Sequence, residues 1–169
     1  AGFFKRERIW EGRGGFFDAV IGIIGASAVG EELIRLLKSY PAKLSVYYLY
    51  LDKDTTKELE VEKTSLEDLI CKSDIVSLHA PNLPDLKHMI NARRISMMKD
   101  GAWFINTARG ELVDETALVK ELESGRISAC LDVTHPEPPE QTSSLYNLPN
   151  VVLTPHMAGA LGLDCRRLG

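Results

Sequence analysis

A turn bounded by two glycines near the start of the chain has the residue types that a phosphate-binding loop needs. The apolar run that begins at Ala19 leads directly into Gly25-Ala26-Ser27-Ala28-Val29-Gly30, and a helical pattern follows. A strand that turns straight into a helix leaves unpaired backbone N–H groups at the helix N-terminus, where the helix dipole also favours an anion. The turn therefore predicts a pyrophosphate site, and a tight turn that binds nothing is the alternative.

Two positions depart from the usual dinucleotide-binding pattern. In the usual spacing G-x-G-x-x-G the middle glycine lets phosphate approach the backbone closely, and here Ser27 occupies that position. An acidic residue at the end of the second strand normally holds the ribose hydroxyls. The second predicted strand has its natural end at Tyr47-Tyr48, and the nearest carboxylate, Asp52, comes four residues later. The adenosine end of the site therefore leaves both NAD and NADP open.

Three polar side chains follow later strands of the predicted sheet. Arg109, Glu137 and His156 come after the fourth, fifth and sixth predicted strands. Open α/β sheets bind ligands at the carboxyl ends of their strands, so these three side chains are expected to converge. A guanidinium can bind a carboxylate, and a histidine can deliver a proton to a carbonyl oxygen. The set predicts a carbonyl-reduction site, although Arg109 alone would fit an ordinary surface arginine near a turn.

The elements that must position these residues alternate between β-rich runs and helical patterns, which indicates βαβ units around a parallel sheet. The predicted strands are Ala19–Gly25, Leu44–Leu51, Asp74–His79, Ala102–Thr107, Ala129–Val133 and Val151–Thr154. The predicted helices are Glu31–Ser39, Ser65–Cys71, Asn91–Lys99 and Asp114–Ser124. This order predicts a Rossmann-type α/β fold, a doubly wound parallel sheet of about six strands in three αβα layers.

Composition limits the partners and the compartment. The 169 residues carry a formal net charge of -4 and no basic footprint, so we expect no nucleic-acid partner. The longest apolar stretch, Ala19 to Gly30, is about half of the roughly 20 residues that a membrane helix needs, so we expect no membrane span. Cys71, Cys130 and Cys165 lack metal-ligand spacing, so we expect free thiols, no bound metal and a cytoplasmic location.

Five phrases of the sequence carry a family resemblance. They are Gly22–Gly25, Asp74–Pro81, Asn106–Gly110, Leu131–Val133 and Thr154–Gly159. In their order and spacing they resemble the D-isomer-specific 2-hydroxyacid dehydrogenases, which include phosphoglycerate, glycerate, formate and D-lactate dehydrogenases and hydroxypyruvate reductases. The resemblance implies the NAD(P)-binding domain of an enzyme that transfers a hydride between a nicotinamide cofactor and a small D-2-hydroxy or 2-oxo acid.

The resemblance also implies a role for each candidate site residue. Arg109 would bind the substrate carboxylate and carbonyl, His156 would be the general acid/base, and Glu137 would orient the imidazole and favour its protonated form. The cofactor would be NAD, with NADP not excluded. Its binding residues would be Gly25, Ser27, Ala28, Val29, Gly30, Tyr48, Ala80, Thr107, Ala108, Asp132, Ala158 and Gly159.

In this family the substrate domain is formed by segments before and after the nucleotide-binding domain. We therefore expect residues 1–169 to be one dinucleotide-binding domain, a fragment that lacks the split substrate-binding domain and is inactive alone. A homodimer is expected from the family, with the aromatic residues Phe3, Phe4 and Trp10 as a suitable surface. Because Ser27 and Tyr48 both affect cofactor affinity, two other functions stay open: a nucleotide-sensing scaffold of the corepressor type, and a degenerate member with weak cofactor binding.

Overall fold

The fold is built from one parallel sheet with helices on both faces. The computed structural model describes residues 17–26, 28–48, 59 and 61–159. The strands are β1 (Val20–Ile24), β2 (Lys43–Tyr47), β3 (Glu62–Lys63), β4 (Ile75–Leu78), β5 (Trp103–Asn106), β6 (Ser128–Leu131) and β7 (Val151–Leu153). The helices in the described ranges are α1 (Ala28–Leu37), α2 (Leu66–Lys72), α3 (Ala92–Ser96) and α4 (Glu115–Glu123).

The strand order is β3-β2-β1-β4-β5-β6-β7, and every neighbouring pair is parallel. The order changes direction between β1 and β4, which is the switch point where doubly wound sheets bind ligands. The predicted fold class is therefore confirmed. No helix within the described ranges is long and apolar enough to cross a bilayer.

All six predicted strands and all four predicted helices are present. Strand β3 was not predicted from the sequence. Its two residues, Glu62 and Lys63, show no apolar alternation and pair only with β2 at the sheet edge. The second predicted strand was too long, since β2 ends at Tyr47. Ser27, the aromatic residues near the N-terminus, Asp52 and Cys165 lie outside the described residues.

Side-chain caps set the starts of three helices. Ser65, Asn91 and Asp114 each accept a hydrogen bond from the backbone N–H three residues later, at 3.1, 3.0 and 3.0 Å. These bonds satisfy N–H groups that have no partner inside the helix, so α2, α3 and α4 begin at defined residues. Gly125, with a φ of 74°, follows α4 and allows the chain to turn towards β6.

The two faces of the sheet bury separate apolar clusters. On one face Phe104, Ala129 and Leu131 pack with residues of α2, α3 and α4. On the other face Ile23 and the β2 residue Val46 pack with Ile34 of α1. The exposure of side chains on this second face rises towards β7. Ile105, Cys130 and Val152 align in register there, and Val152 is 49% exposed.

Helix α1 packs in close backbone contact with the end of β1. A Cβ atom on Gly30 would lie 2.1 Å from the carbonyl oxygen of Gly25. Gly25 has a φ of +99°, and a Cβ there would lie 2.7 Å from backbone atoms of His79 and Ala80. Neither position has room for a side chain, so both glycines are needed to bring α1, β1 and the loop after β4 together.

The contact at Gly30 predicts a reversal of the normal helix preference. Alanine usually stabilises a helix relative to glycine by about 1 kcal/mol. We expect Gly30→Ala instead to lower the free energy of unfolding by at least about 2 kcal/mol in urea denaturation, because the new methyl group overlaps a carbonyl oxygen. Gly159→Ala is the control, since a Cβ at Gly159 meets no atom of the described residues within 4 Å. Wild-type stability of Gly30→Ala would show that the turn is looser than described.

Candidate active site

A cleft at the switch point lies between the N-terminus of α1 and the carboxyl ends of β4 and β5. Its volume is about 270 Å³, and it is lined by Val29, His79, Ala80, Pro81, Asn82, Thr107, Ala108 and Arg109. Val29, in the first turn of α1, is 65% exposed and is therefore accessible from the cleft. The ten-residue helix α1 and the left-handed backbone at Gly25 match the expected chemistry of a pyrophosphate site. The residues present therefore fit a dinucleotide.

A smaller, apolar depression lies on the β2 side of the same turn. It is lined by Ile24, Gly25, Tyr47, Tyr48, Ala80, Pro81, Leu86 and Met89. The backbone N–H of Gly25 donates to the carbonyl oxygen of Tyr47 at 2.8 Å, which joins the glycine turn to the end of β2. The structure thus brings together Gly25, Tyr48 and Ala80, three of the residues that the sequence assigns to cofactor binding.

Glu137 and His156 form a hydrogen-bonded pair. The Nδ1 atom of His156 lies 2.6 Å from Oε1 of Glu137, and the side chains are 43% and 42% exposed. Both line a pocket of about 640 Å³ at the carboxyl ends of β6 and β7. With Nδ1 bonded to Glu137, Nε2 is the ring nitrogen that can exchange a proton with a substrate. The pair has the geometry of a general acid/base and its orienting carboxylate.

The buried carboxylate of Asp132 holds the loop that carries His156. Oδ1 accepts hydrogen bonds from the Thr154 hydroxyl at 2.5 Å and the Met157 N–H at 2.8 Å. Oδ2 accepts one from the Ala158 N–H at 2.8 Å, and the backbone oxygen of Asp132 accepts the His156 N–H at 3.0 Å. His156 has a φ of 50°, a backbone conformation that residues other than glycine rarely adopt. The hydrogen bonds of Asp132 stabilise it here.

The charge of Asp132 is stabilised by these same contacts. Burial by itself would raise the pKa of Asp132, which is only 4% exposed. Hydrogen bonds from Thr154, Ala158 and Met157, together with the nearby His156, outweigh burial and hold the pKa below its usual value. The family resemblance implies that Asp132 lies beside the nicotinamide, which stays a prediction. The structure shows that Asp132 holds the histidine loop.

Asn106 shapes the loop that carries Arg109. This asparagine is 1% exposed and ends β5. Its Oδ1 accepts the Ala108 N–H at 3.0 Å, and its Nδ2 donates to the Arg109 carbonyl oxygen at 3.1 Å. The Arg109 side chain is exposed, and its Nη1 donates to the Ala108 carbonyl oxygen at 2.6 Å. The sequence analysis gave Asn106 no role, although an asparagine at the end of a buried strand is a known turn signal.

The loops after β5 and β6 are in direct contact. A Cβ on Gly110 would lie 2.1 Å from the carbonyl oxygen of Thr134, so only glycine fits there. Arg109 lines the cleft beside α1, whereas Glu137 and His156 line the larger pocket. Arg109 therefore lines a different pocket from the bonded pair of Glu137 and His156, at the same edge of the sheet.

Glu115, at the start of α4, fixes the loop that carries Glu137. Its Oε2 accepts the backbone N–H of His135 at 2.8 Å. Burial raises the pKa of Glu115, and the hydrogen bond from His135 and the nearby imidazole offset part of that effect. The sequence reading missed this residue, because a glutamate in the first turn of a helix normally indicates only a favourable interaction with the helix dipole.

His79 is a partly buried histidine that follows β4 directly. Its Nε2 lies 2.8 Å from the Ser77 hydroxyl, and burial lowers the pKa of the imidazole. It also forms part of the wall beside α1. Burial therefore favours the neutral form of this imidazole at the switch point.

Comparison with known proteins identifies the family of this chain. Residues 6–158 match the family described as D-isomer specific 2-hydroxyacid dehydrogenase, NAD binding domain. The chain is 38% identical over 155 residues to a hydroxypyruvate reductase of Thermotoga maritima, covering 88% of this chain and 49% of that protein. It is 41% identical over 146 residues to a glyoxylate reductase of Thermofilum pendens, covering 83% of this chain and 42% of that protein. The chain spans less than half the length of these relatives.

A solved structure shows the same similarity in three dimensions. The D-isomer specific 2-hydroxyacid dehydrogenase from Lactobacillus delbrueckii ssp. bulgaricus, in its NAD-complexed form, matches with a TM-score of 0.78 at 33% identity. The match covers 88% of this chain and 49% of that chain. The similarity thus extends to both sequence and fold over most of this chain.

Removing the charge of Asp132 should destabilise the histidine loop. In Asp132→Asn an amide N–H₂ group replaces one of the two carboxylate oxygens. This group cannot accept the hydrogen bonds that a backbone N–H or the Thr154 hydroxyl donates to the carboxylate. We expect the free energy of unfolding at neutral pH to fall by about 2 kcal/mol, measured by urea denaturation. Thr154→Val removes one bond and no charge, and should cost less. Equal stability of Asp132→Asn and wild type would contradict the assignment.

The stability difference between wild type and Asp132→Asn should depend on pH. The pKa of Asp132 is lower in the folded protein than in the unfolded chain, where it is about 3.9. The carboxylate therefore stabilises the fold at a pH above the unfolded-state pKa, and this stabilisation is lost as the pH falls through the folded-state pKa. The difference in free energy of unfolding between wild type and Asp132→Asn should be largest near neutral pH and should decrease below about pH 4. A difference that increases on acidification would show that another group dominates.

Proposed function

The chain belongs to the D-isomer specific 2-hydroxyacid dehydrogenases, as their NAD-binding domain, and we propose that the complete protein reduces a small 2-oxo acid to a D-2-hydroxy acid. The observation that carries the proposal is the bonded pair of Glu137 and His156 at the same sheet edge as the dinucleotide cleft. Relatives are named for the reduction of hydroxypyruvate and glyoxylate, which are both small 2-oxo acids. The acid that this protein uses belongs to the same chemical class.

Each catalytic residue has one task in this proposal. Bound NADH supplies the hydride that reaches the carbonyl carbon. The Arg109 guanidinium binds the substrate carboxylate and turns the carbonyl towards His156. Protonated His156 gives its Nε2 proton to the carbonyl oxygen as the negative charge forms there, while Glu137 stays bonded to Nδ1 and stabilises the cationic ring. Oxidation of the hydroxy acid uses the same groups in reverse.

The cofactor would extend along the sheet edge. Gly25, Ser27, Ala28, Val29 and Gly30 would face the pyrophosphate, because this segment follows β1 in the sequence and its last three residues begin α1. Tyr48 and Ala80 would lie at the adenosine end. The residues at the nicotinamide end would be Thr107, Ala108, Asp132, Ala158 and Gly159.

The complete protein would add a substrate-binding domain to this one. The coverage of less than half of each curated relative supports that arrangement. Arg109, Glu137 and His156 are all exposed here, and a second domain above the sheet edge would exclude water from them. We therefore expect residues 1–169 to bind cofactor without catalysing turnover.

The proposed reaction is tested in the complete protein by following NADH oxidation with a panel of 2-oxo acids. We expect His156→Gln to lower kcat by about 10²–10⁴-fold, because no group then protonates the carbonyl oxygen. Arg109→Ala should mainly raise KM, and Arg109→Lys should not restore it, because lysine lacks the planar fork. Arg93→Ala, at a side chain 71% exposed on α3, is the matched control and should be as active as wild type.

Two results would contradict this proposal. One is the absence of NADH or NADPH oxidation with every 2-oxo acid in the panel. The other is full activity of both Arg109→Ala and His156→Gln. A cofactor-dependent complex with a protein partner, formed without turnover, would instead favour a nucleotide-sensing scaffold.

We further propose that the protein is a cytoplasmic homodimer. The unpaired thiols of Cys71 and Cys130 support a reducing compartment. The face of the sheet that carries Ile105, Cys130 and Val152 supports association, because Val152 is 49% exposed there.

Association is tested by light scattering after gel filtration over a range of concentrations. We expect the mass of a dimer for wild type and for Leu36→Lys, in which a charge replaces a residue 60% exposed on α1. Val152→Lys should shift the population towards monomer, because a charge would be buried in the interface. A monomer at high concentration for wild type would contradict the dimer, and a dimer of unchanged stability for Val152→Lys would place the interface elsewhere.

A further inference from the structure

The loop after β6, residues 134–139, carries Glu137 and is rich in proline. Three of its six residues, Pro136, Pro138 and Pro139, have no backbone N–H. The regular pairing that fixes a strand or a helix therefore cannot hold this segment. Its position depends instead on side chains of other elements that bond its remaining backbone groups.

Two side chains bond this loop, one on either side of Glu137. On the N-terminal side, Oε2 of Glu115 accepts the backbone N–H of His135 at 2.8 Å. On the C-terminal side, the hydroxyl of Tyr146 donates to the backbone carbonyl oxygen of Pro139 at 3.0 Å. His135 and Pro139 are each two residues away from Glu137. Glu137 therefore lies midway between two anchored backbone positions.

One helix supports both of these anchors. Helix α4 begins with Glu115 and ends with Glu123. The Ser144 hydroxyl donates to Oε1 of Glu123, and Ser144 begins a short 3-10 helix that ends at Tyr146. Leu145, in the same turn, is only 2% exposed and belongs to the apolar cluster that α4 also joins. The phenol of Tyr146 is therefore presented to the loop from a well-anchored backbone.

The hydrogen bond between Glu137 and His156 depends on the position of the loop. Nδ1 of the ring and Oε1 of the carboxylate lie 2.6 Å apart, and both side chains are exposed. Water therefore competes for both partners, and a loop displacement of about 1 Å would lengthen the contact beyond hydrogen-bond distance. The bond at Nδ1 determines which ring nitrogen carries the proton in the neutral ring. The position of the loop thus decides whether Glu137 orients the imidazole.

We propose that Tyr146 is a positioning residue for Glu137, and that together with Glu115 it holds the loop so that the carboxylate stays on Nδ1 of His156. The inference rests on the proposed function and deepens it by adding a residue that supports the acid/base pair. Tyr146 also lines the pocket that contains the pair, so direct contact of its phenol with substrate is the alternative. In our proposal Tyr146 acts through the carbonyl oxygen of Pro139 and through Glu137.

The tautomer of His156 reports the bond without any need for turnover. The ring nitrogen chemical shifts of the 169-residue chain are measured above about pH 9, where an ordinary histidine is neutral. We expect wild type to carry the proton on Nδ1, because Glu137 accepts it there, and Glu137→Ala to give the shifts of an unbonded ring. Tyr146→Phe should move the shifts towards those of Glu137→Ala, because loss of one hydrogen bond lowers the ratio of held to released loop about fivefold.

Conservative variants separate the bonds from the bulk of the side chains. Glu115→Gln keeps an oxygen that can accept the His135 N–H and should behave like wild type, whereas Glu115→Ala should resemble Tyr146→Phe. Tyr40→Phe is the matched control, because it removes a hydroxyl from a tyrosine 56% exposed in the turn before β2, at the opposite edge of the sheet. It should leave the His156 shifts unchanged. Tyr146→Phe decides the question even if Glu115→Ala fails to fold.

Kinetics of the complete protein connect the bond to turnover. We expect Tyr146→Phe to lower kcat about threefold to tenfold and to leave KM for NADH within about twofold of wild type, because the acid/base pair acts in the chemical step. In a Glu137→Ala background the same substitution should cause no further loss of kcat, because Tyr146 acts through Glu137.

The outcomes distinguish this inference from the proposed function. Wild-type shifts in Tyr146→Phe would overturn the inference and leave the proposed function in place. An equal loss of kcat with and without Glu137 would also overturn it, and would indicate direct contact of the phenol with substrate. Identical shifts in wild type and Glu137→Ala would remove the bonded pair on which both proposals rest. An absence of turnover in the complete protein would contradict the proposed function alone, since the shifts of the 169-residue chain still test the inference.

Discussion

Parallel pairing of every strand is the constraint on which the site depends. Because the seven strands in the described part of the chain run in the same direction, the loops that leave them start at one edge of the sheet. Side chains that are far apart in the chain, such as Tyr48, Arg109 and His156, are thereby brought to a common edge. The apolar clusters on the two faces pack the helices against the sheet, while Arg109, Glu137 and His156 stay exposed at this edge.

Parallel pairing alone does not orient the loops, and buried polar groups perform that task. Asn106 defines the loop of Arg109, and Asp132 holds the loop of His156. Both are almost fully buried, so an unsatisfied hydrogen bond at either would cost about 1–3 kcal/mol. That penalty favours the single loop conformation in which all the bonds form. Close glycine contacts, such as that of Gly110 with Thr134, then set the spacing between neighbouring loops.

The sheet and the convergence of Glu137 and His156 at one edge could be predicted from local patterns in the sequence, and the hydrogen bond between them from the family resemblance. Apolar runs identify strands buried on both faces, and caps such as Ser65 and Asp114 identify helix starts. Parallel order then places Glu137 and His156 at neighbouring strand ends, where the structure has them bonded. The short edge strand β3 could not be predicted, because two polar residues carry no periodic signal. The contacts of Asp132 and Glu115 join residues 20 or more positions apart, and such contacts leave no local pattern.

The central claim is that the carboxyl edge of this sheet binds a nicotinamide dinucleotide across the switch point and directs it towards His156. Amide chemical-shift mapping of the chain during titration with NADH tests it most directly. The account predicts that the resonances of Gly25, Ala80, Thr107 and His156 shift together, while those of Gly101 and Gly125, at the opposite edge, stay unchanged. Shifts confined to the opposite edge, or no shifts at saturating NADH, would contradict it.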